Sequence, residues 1–260
     1  MQAAFDFSDR EGQLVSTAVH AGHELRPAIA ARMAIDDDTR LREEDPFTDH
    51  LLGEVGTRVS VRRSRFEVDL NRSRDAAVYL EPADAWGLEV WNDHLPNTEL
   101  QASLVVYDDF YAAFAERLDR LSARGPFVVL DVHSYNHRRQ GPDEPAAPES
   151  DNPEVNVGTG ALDQQRWGPV VERFIDDLGA ERVAGHRLDV RENVKFRGGH
   201  LSRWVAGRYP DTGCVLAIEF KKVFMDEWTG EPDLAHITEL AGALAAAARP
   251  TLDMLAGKLR

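Results

Sequence analysis

The chain has 260 residues, a hydrophobic content of 43% and a formal net charge of −15. That apolar fraction allows a sizeable core, and the acidic balance argues against nucleic acid and anionic membranes as partners. A single cysteine, Cys214, excludes an intramolecular disulfide framework, and no apolar run approaches the ~18 residues needed to span a bilayer. The first residues, Met1 to Asp6, lack a basic region followed by an apolar stretch, so no signal peptide is expected and the cytoplasm is the expected address.

Short β-branched runs alternate with long amphipathic ones. Residues 14–19 read as a strand ending at His20. Pro27 suits the start of a helix, followed by good helix formers to Met33. Residues 66–70 alternate like a strand. From Glu99 to Ser122 apolar residues recur at helical spacing, and Gly125-Pro126 ends the run. Residues 127–130 form an apolar strand running into Asp131-Val132-His133. Residues 167–178 read as a helix, 215–220 as a buried strand containing Cys214's neighbours, and 235–255 as an alanine-rich helix broken or kinked at Pro250. The alternation predicts one α/β domain over residues 1–260, with a mixed, mostly parallel sheet and helices on both faces. Residues 81–98 and 137–156 read as loops. The second is rich in proline and acids, and it is long enough to be a mobile lid.

Polar residues gather after the apolar strands, where open α/β sheets bind ligands. His20 follows the first strand, His133 the central one, and Glu219 lies in a late one. In His20-Ala21-Gly22-His23-Glu24 the small residues permit a sharp turn. A catalytic zinc takes about three nitrogen and oxygen ligands and keeps an open position. His20 and His133 are candidate ligands, and Glu24, Asp45 and His23 are the alternatives for the remaining one. Asn71 and Arg72 arrive together, and a guanidinium binds carboxylates bidentately. Asp131 shares a strand face with His133 and could orient it. Residues 193–200 carry Lys195, Arg197, Gly198, Gly199 and His200 ahead of a helix, a place where free amides bind anions. Glu219 sits among Ala217, Ile218 and Phe220, where a carboxylate is costly unless it is used, for example as a general base.

In order along the chain, His20-Ala21-Gly22, Glu44-Asp45-Pro46-Phe47-Thr48-Asp49, residues 64–72, Asp131-Val132-His133-Ser134, Asn156-Val157-Gly158-Thr159, Phe196-Arg197-Gly198-Gly199-His200, and Ile218-Glu219 followed by Phe224-Met225-Asp226-Glu227 resemble the N-formylglutamate amidohydrolase (N-formylglutamate deformylase) family. That family is similar to zinc carboxypeptidases. The resemblance implies a carboxypeptidase-like (phosphorylase/hydrolase-like) fold and one divalent metal ion, zinc. It also implies Asn71 and Arg72 on the substrate α-carboxylate, and Glu219 as the general base. It places the activity in histidine degradation. A carboxypeptidase-type acid would fall three residues after His20, where this chain has His23.

The expected function is hydrolysis of the amide bond of a small N-acyl amino acid such as N-formyl-L-glutamate. The expected site is His20, Glu24, Asp45 and His133 for the metal, Glu219 for catalysis, and Asn71, Arg72, Arg197, Gly199 and His200 for the substrate. A monomer or small homo-oligomer is expected. The alternatives are a carboxypeptidase-like small-peptide hydrolase and a non-catalytic carboxylate-binding protein of the same fold.

Overall fold

A computed structural model describes residues 3–53 and 56–258 of the chain. Among them the strands are β1 (Phe5–Ser8), β2 (Leu14–Ala18), β3 (Thr57–Val61), β4 (Phe127–Tyr135), β5 (Val155–Gly158), β6 (Arg182–Val183), β7 (His186–Arg187), β8 (Val190–Glu192) and β9 (Gly213–Lys221). The α-helices are α1 (Pro27–Ala30), α2 (Asp37–Glu43), α3 (Asn97–Ser122), α4 (Gln164–Ala180), α5 (His200–Arg208) and α6 (Leu234–Lys258). The main sheet runs β1-β3-β2-β4-β9-β5-β8. The pairs β2–β3, β2–β4, β4–β9 and β5–β8 are parallel, while β1–β3 and β5–β9 are antiparallel. The sheet is therefore mixed and mostly parallel.

β4 and β9 are almost wholly buried, so both read as continuous apolar runs rather than alternating ones. Their alternate residues serve opposite faces. Val128, Leu130, Leu216 and Ile218 pack with Val170 and Phe174 of α4 and Leu240 and Leu244 of α6. Val129 and Val215 pack with Phe110 and Phe114 of α3 and Leu201 of α5. Burying one such Phe or Leu contributes about 1.5–3 kcal/mol, so the two helical layers clamp the central strands from both sides.

Two expectations need correction. Residues 66–70 do not form a strand. Phe66, Glu67, Val68, Asp69 and Leu70 are all buried, but their backbone closes turns onto Ser64 and Ala77. The apparent alternation arises because the two acids are buried in ion pairs, Glu67 with Arg26 and Asp69 with Arg65. The strand in this region is β3, just upstream. Near the C-terminus, α6 continues through Pro250 without a break. The segment after β4 is anchored as it starts: the Glu227 carboxylate accepts the backbone N–H groups of His137 (2.8 Å) and Arg138. It ends in β5, and residues 142–146 between are exposed.

Candidate metal centre and its pocket

β2 ends at Ala18, and His20 follows at the carboxyl edge of the sheet. Gly22 makes the exit possible, because a Cβ there would lie 2.3 Å from the carbonyl carbon and oxygen of Arg62 beyond β3. β4 carries Asp131 and His133 on one face, and its parallel pairing with β9 sets Glu219 opposite His133. Asp45 comes just after α2, where the carbonyls of Arg42 in the last turn and of Glu44 beyond it accept from the buried Lys222 ammonium at 2.6 and 2.7 Å.

These elements converge. His20, Asp45 and His133 are buried, and their donor atoms lie within 4.8 Å of one another. Asp45 Oδ2 is 3.3 Å from His20 Nδ1 and 3.0 Å from His133 Nδ1. Behind each imidazole stands another carboxylate. Asp69 Oδ1 is 2.7 Å from His20 Nε2, and Asp131 Oδ1 is 3.2 Å from His133 Nε2. These outer carboxylates are themselves held: Thr17 donates to Asp131 at 2.8 Å, and Arg65 and Tyr79 donate to Asp69. Such carboxylate–histidine pairs fix ring orientation and leave the far nitrogen free to bind a metal. His20 Nδ1 fits that role, being buried with no hydrogen-bond partner. Two imidazole nitrogens and one carboxylate oxygen, with further positions open, form a donor set that suits a catalytic zinc.

The electrostatics follow from burial and crowding. Burial alone would raise the Asp45 carboxyl, but the hydrogen bond with His133 and the close His20 imidazole outweigh it and hold it well below the usual range. Burial would likewise raise Asp69, and the charges of His20 and Arg65 reverse the effect. Burial would lower His133, yet Asp131 and Asp45 hold its proton and raise it well above the ordinary imidazole value. Glu219 moves the other way: burial pushes it up to about 7, against the pull of His133. Lys222 is lowered by burial to about 8.

A cavity of ≈ 170 Å³ opens over these groups, and Asn71 and Glu219 line it. The other expected site residues lie elsewhere. Glu24 is exposed and outside the donor cluster; its backbone bridges to Arg63 while its side chain points to solvent. His23 is turned to Glu44, at 2.6 Å, and to Arg40. Arg72 is not in the cavity wall: its guanidinium donates to the Asp84 carbonyl at 2.6 Å and lies over the Tyr79 ring. Arg197 is exposed, and His200 meets the Tyr107 hydroxyl at 3.1 Å. The expected anion site at the start of α5 is filled from within. Asn71 accepts from Leu201 N at 2.9 Å with its side chain and from His200 N at 3.1 Å with its carbonyl. Gly199 lets it come that close, since a Cβ there would meet the Asn71 amide at 2.3 Å.

Residues that the sequence reading did not single out take these places. Arg65 and Arg139 are the guanidinium groups in the cavity wall, with Trp86, Asn136 and Lys222 beside them. Arg65 had a visible signal, being four residues before Asp69 in the same motif. Arg139 had none, because only the fold brings residues 136–139 to Glu43.

Fold and site together define a hydrolase-type centre of the α/β class, with a two-histidine, one-carboxylate donor set beside a buried glutamate. Residues 12–225 match the family model for N-formylglutamate amidohydrolase, and the chain belongs to that family, one of hydrolytic enzymes. No curated protein matches the chain at a significant level. Among solved structures, N-formylglutamate amidohydrolase from Ralstonia eutropha is similar at 17% identity, with a TM-score of 0.76 over 99% of this chain and 100% of that one. A gene product of Agrobacterium tumefaciens is similar at 19% identity, with a TM-score of 0.66 over 99% and 94%.

Proposed function

We propose that the protein is a zinc-dependent amidohydrolase that cleaves the amide bond of small N-acyl amino acids. The observation that carries this reading is the buried His20–Asp45–His133 donor set with Glu219 held opposite His133 in the same cavity. The metal would be held by Nδ1 of His20, Nδ1 of His133 and a carboxylate oxygen of Asp45. When bound it supplies Lewis acidity, polarising the scissile carbonyl and lowering the pKa of water to roughly 7.

The chain's own groups do the rest. Asp69 and Asp131 keep the two imidazoles oriented. Glu219 takes a proton from the attacking water and delivers it to the departing amine nitrogen, a general acid–base role suited to a group whose pKa lies near neutrality. Positive charge in the cavity wall, from Arg65 and Arg139, attracts the substrate carboxylate against the acidic surface. Asn71, beside His133 at 3.2 Å, orients the substrate near the reacting bond.

The test is a panel of N-formyl and N-acetyl amino acids and dipeptides offered to protein loaded with stoichiometric zinc. Release of free amino acid from the acyl derivatives, abolished by chelation and restored by zinc, is the expected result. Cleavage of dipeptides alone would favour a small-peptide hydrolase, and no zinc-dependent cleavage of any amide would reject the reading.

A further inference from the structure

Asp45 reaches the metal centre differently from its two partners. His20 and His133 are set by β2 and β4, whereas Asp45 lies in the irregular chain just after α2. The peptide unit that joins Glu44 to Asp45 is held at both ends. Its N–H donates to the His20 carbonyl at 3.0 Å, and its C=O accepts from Lys222 Nζ at 2.7 Å. The second acceptor of that ammonium is the Arg42 carbonyl at 2.6 Å, which also takes the Asn136 amide at 2.9 Å. Lys222 is itself fixed to the central strands. It follows β9 directly, and its backbone N–H donates at 3.0 Å to the carbonyl of Tyr135, the last residue of β4. One side chain thus ties the segment bearing Asp45 to the strands bearing His133 and Glu219.

A lysine is a costly way to fill this place. Lys222 is 1% exposed, and an ammonium taken out of water without an opposing charge is destabilising. Among the described residues no carboxylate is in ion-pair contact with it. Glu43 pairs instead with Arg42 and Arg139, and Glu227 with His137. Packing alone would be served better by methionine, of similar length and without charge. What the ammonium adds is two short, charge-assisted hydrogen bonds, both directed at the backbone beside Asp45. The Thr48 hydroxyl also caps the Asp45 carbonyl, at 2.7 Å, but from within the same loop, so it does not fix that loop to the sheet. A ligand of a working site has to be held to within about 0.5 Å, and the grip of Lys222 supplies that restraint from β9.

We infer that Lys222 is a positioning residue for the metal centre: by gripping the Arg42 and Glu44 carbonyls it holds Asp45 in place as a ligand between His20 and His133. The inference rests on the proposed metal site, and it gives Lys222 no contact with substrate although the residue lines the cavity.

The test is a double-mutant cycle on zinc affinity, measured without substrate by competition with a chromophoric chelator. Lys222→Met should weaken zinc binding by about 10–100-fold, the range for residues that orient a ligand. In an Asp45→Ala background the same substitution should change affinity by less than about twofold, because the ligand it serves is gone. Unchanged zinc affinity in Lys222→Met, or an equal loss with and without Asp45, would overturn the inference. Native zinc affinity with a raised KM would place Lys222 on the substrate and overturn it as well. If Lys222→Met does not fold, Lys222→Gln, whose amide stops one bond short of both carbonyls, carries the same cycle under the same criteria. Amide-cleavage assays on the same samples separate the two readings. A cycle with the expected outcome and no hydrolysis would reject the hydrolase reading and keep Lys222 in its role, whereas a wild-type protein that binds no zinc would overturn both.

Discussion

Glu219→Gln separates catalysis from stability in one substitution. Burial lifts the Glu219 carboxyl from 4.5 to about 7 in the metal-free protein. A folded pKa above the unfolded one means that the fold favours the protonated form. That contribution is fully present below about pH 4.5 and is lost as pH rises through 7. At about 1.4 kcal/mol for each tenfold change in proton affinity, the ionised carboxylate costs the native state about 3 kcal/mol above neutrality. Glutamine keeps the shape and removes the charge. Metal-free Glu219→Gln should therefore be more stable than wild type at pH 8, by up to about 3 kcal/mol or roughly 6–12 °C in Tm, and similar to it at pH 4.5. Thermal melts in chelator across that range measure the difference. With zinc loaded, the same variant should bind metal but lose about 10²–10⁴ in turnover. Parallel pH–stability curves for the two proteins, or a less stable variant at pH 8, would refute the reasoning about this site.

Three further outcomes are expected. His133→Ala should abolish tight metal binding and activity together, and elemental analysis showing full occupancy would exclude His133 as a ligand. The raised pKa of His133 keeps it protonated in the metal-free protein at neutral pH, so metal binding should release a proton there and weaken as pH falls; calorimetry in buffers of different ionisation enthalpy counts it. Asp69→Asn and Asp131→Asn should each weaken metal affinity by about 10–100-fold without abolishing it, as read from competition with a chromophoric chelator.

The sequence spoke most clearly where burial was simplest. β4 and β9 are covered on both faces, so their apolar runs show in the sequence. The heptad-like spacing of Leu104, Tyr107, Phe110, Tyr111, Phe114, Leu118 and Leu121 marks the buried face of α3. Residues 66–70 misled because alternation of apolar and acidic residues signals a half-exposed strand only when the acids face water, and Glu67 and Asp69 do not. β3 passed unnoticed because two valines, Val59 and Val61, are its whole apolar signal. In the site, His20, His133 and Glu219 followed from strand ends. The choice among Glu24, Asp45 and His23 did not, since it depends on where the chain returns after α2, and local spacing holds no record of that. Arg65 and Arg72 are alike on paper. Tertiary partners, Asp69 for one and the Asp84 carbonyl for the other, decide which of them faces the cavity.

The contacts that hold Asp45, Asp69 and Asn71 around the two histidines join distant parts of the chain. Asp45 and His133 are 88 residues apart, Thr17 and Asp131 114, Asn71 and Leu201 130, and Glu44 and Lys222 178. Loops of that length close late, after local helices and turns have formed. The donor set therefore depends on contacts between segments far apart in the chain, β2, the turn after α2 and β4. Capture of the proposed metal should then come late in folding, and the rate at which a refolding sample acquires added zinc would report how late the donor set is assembled.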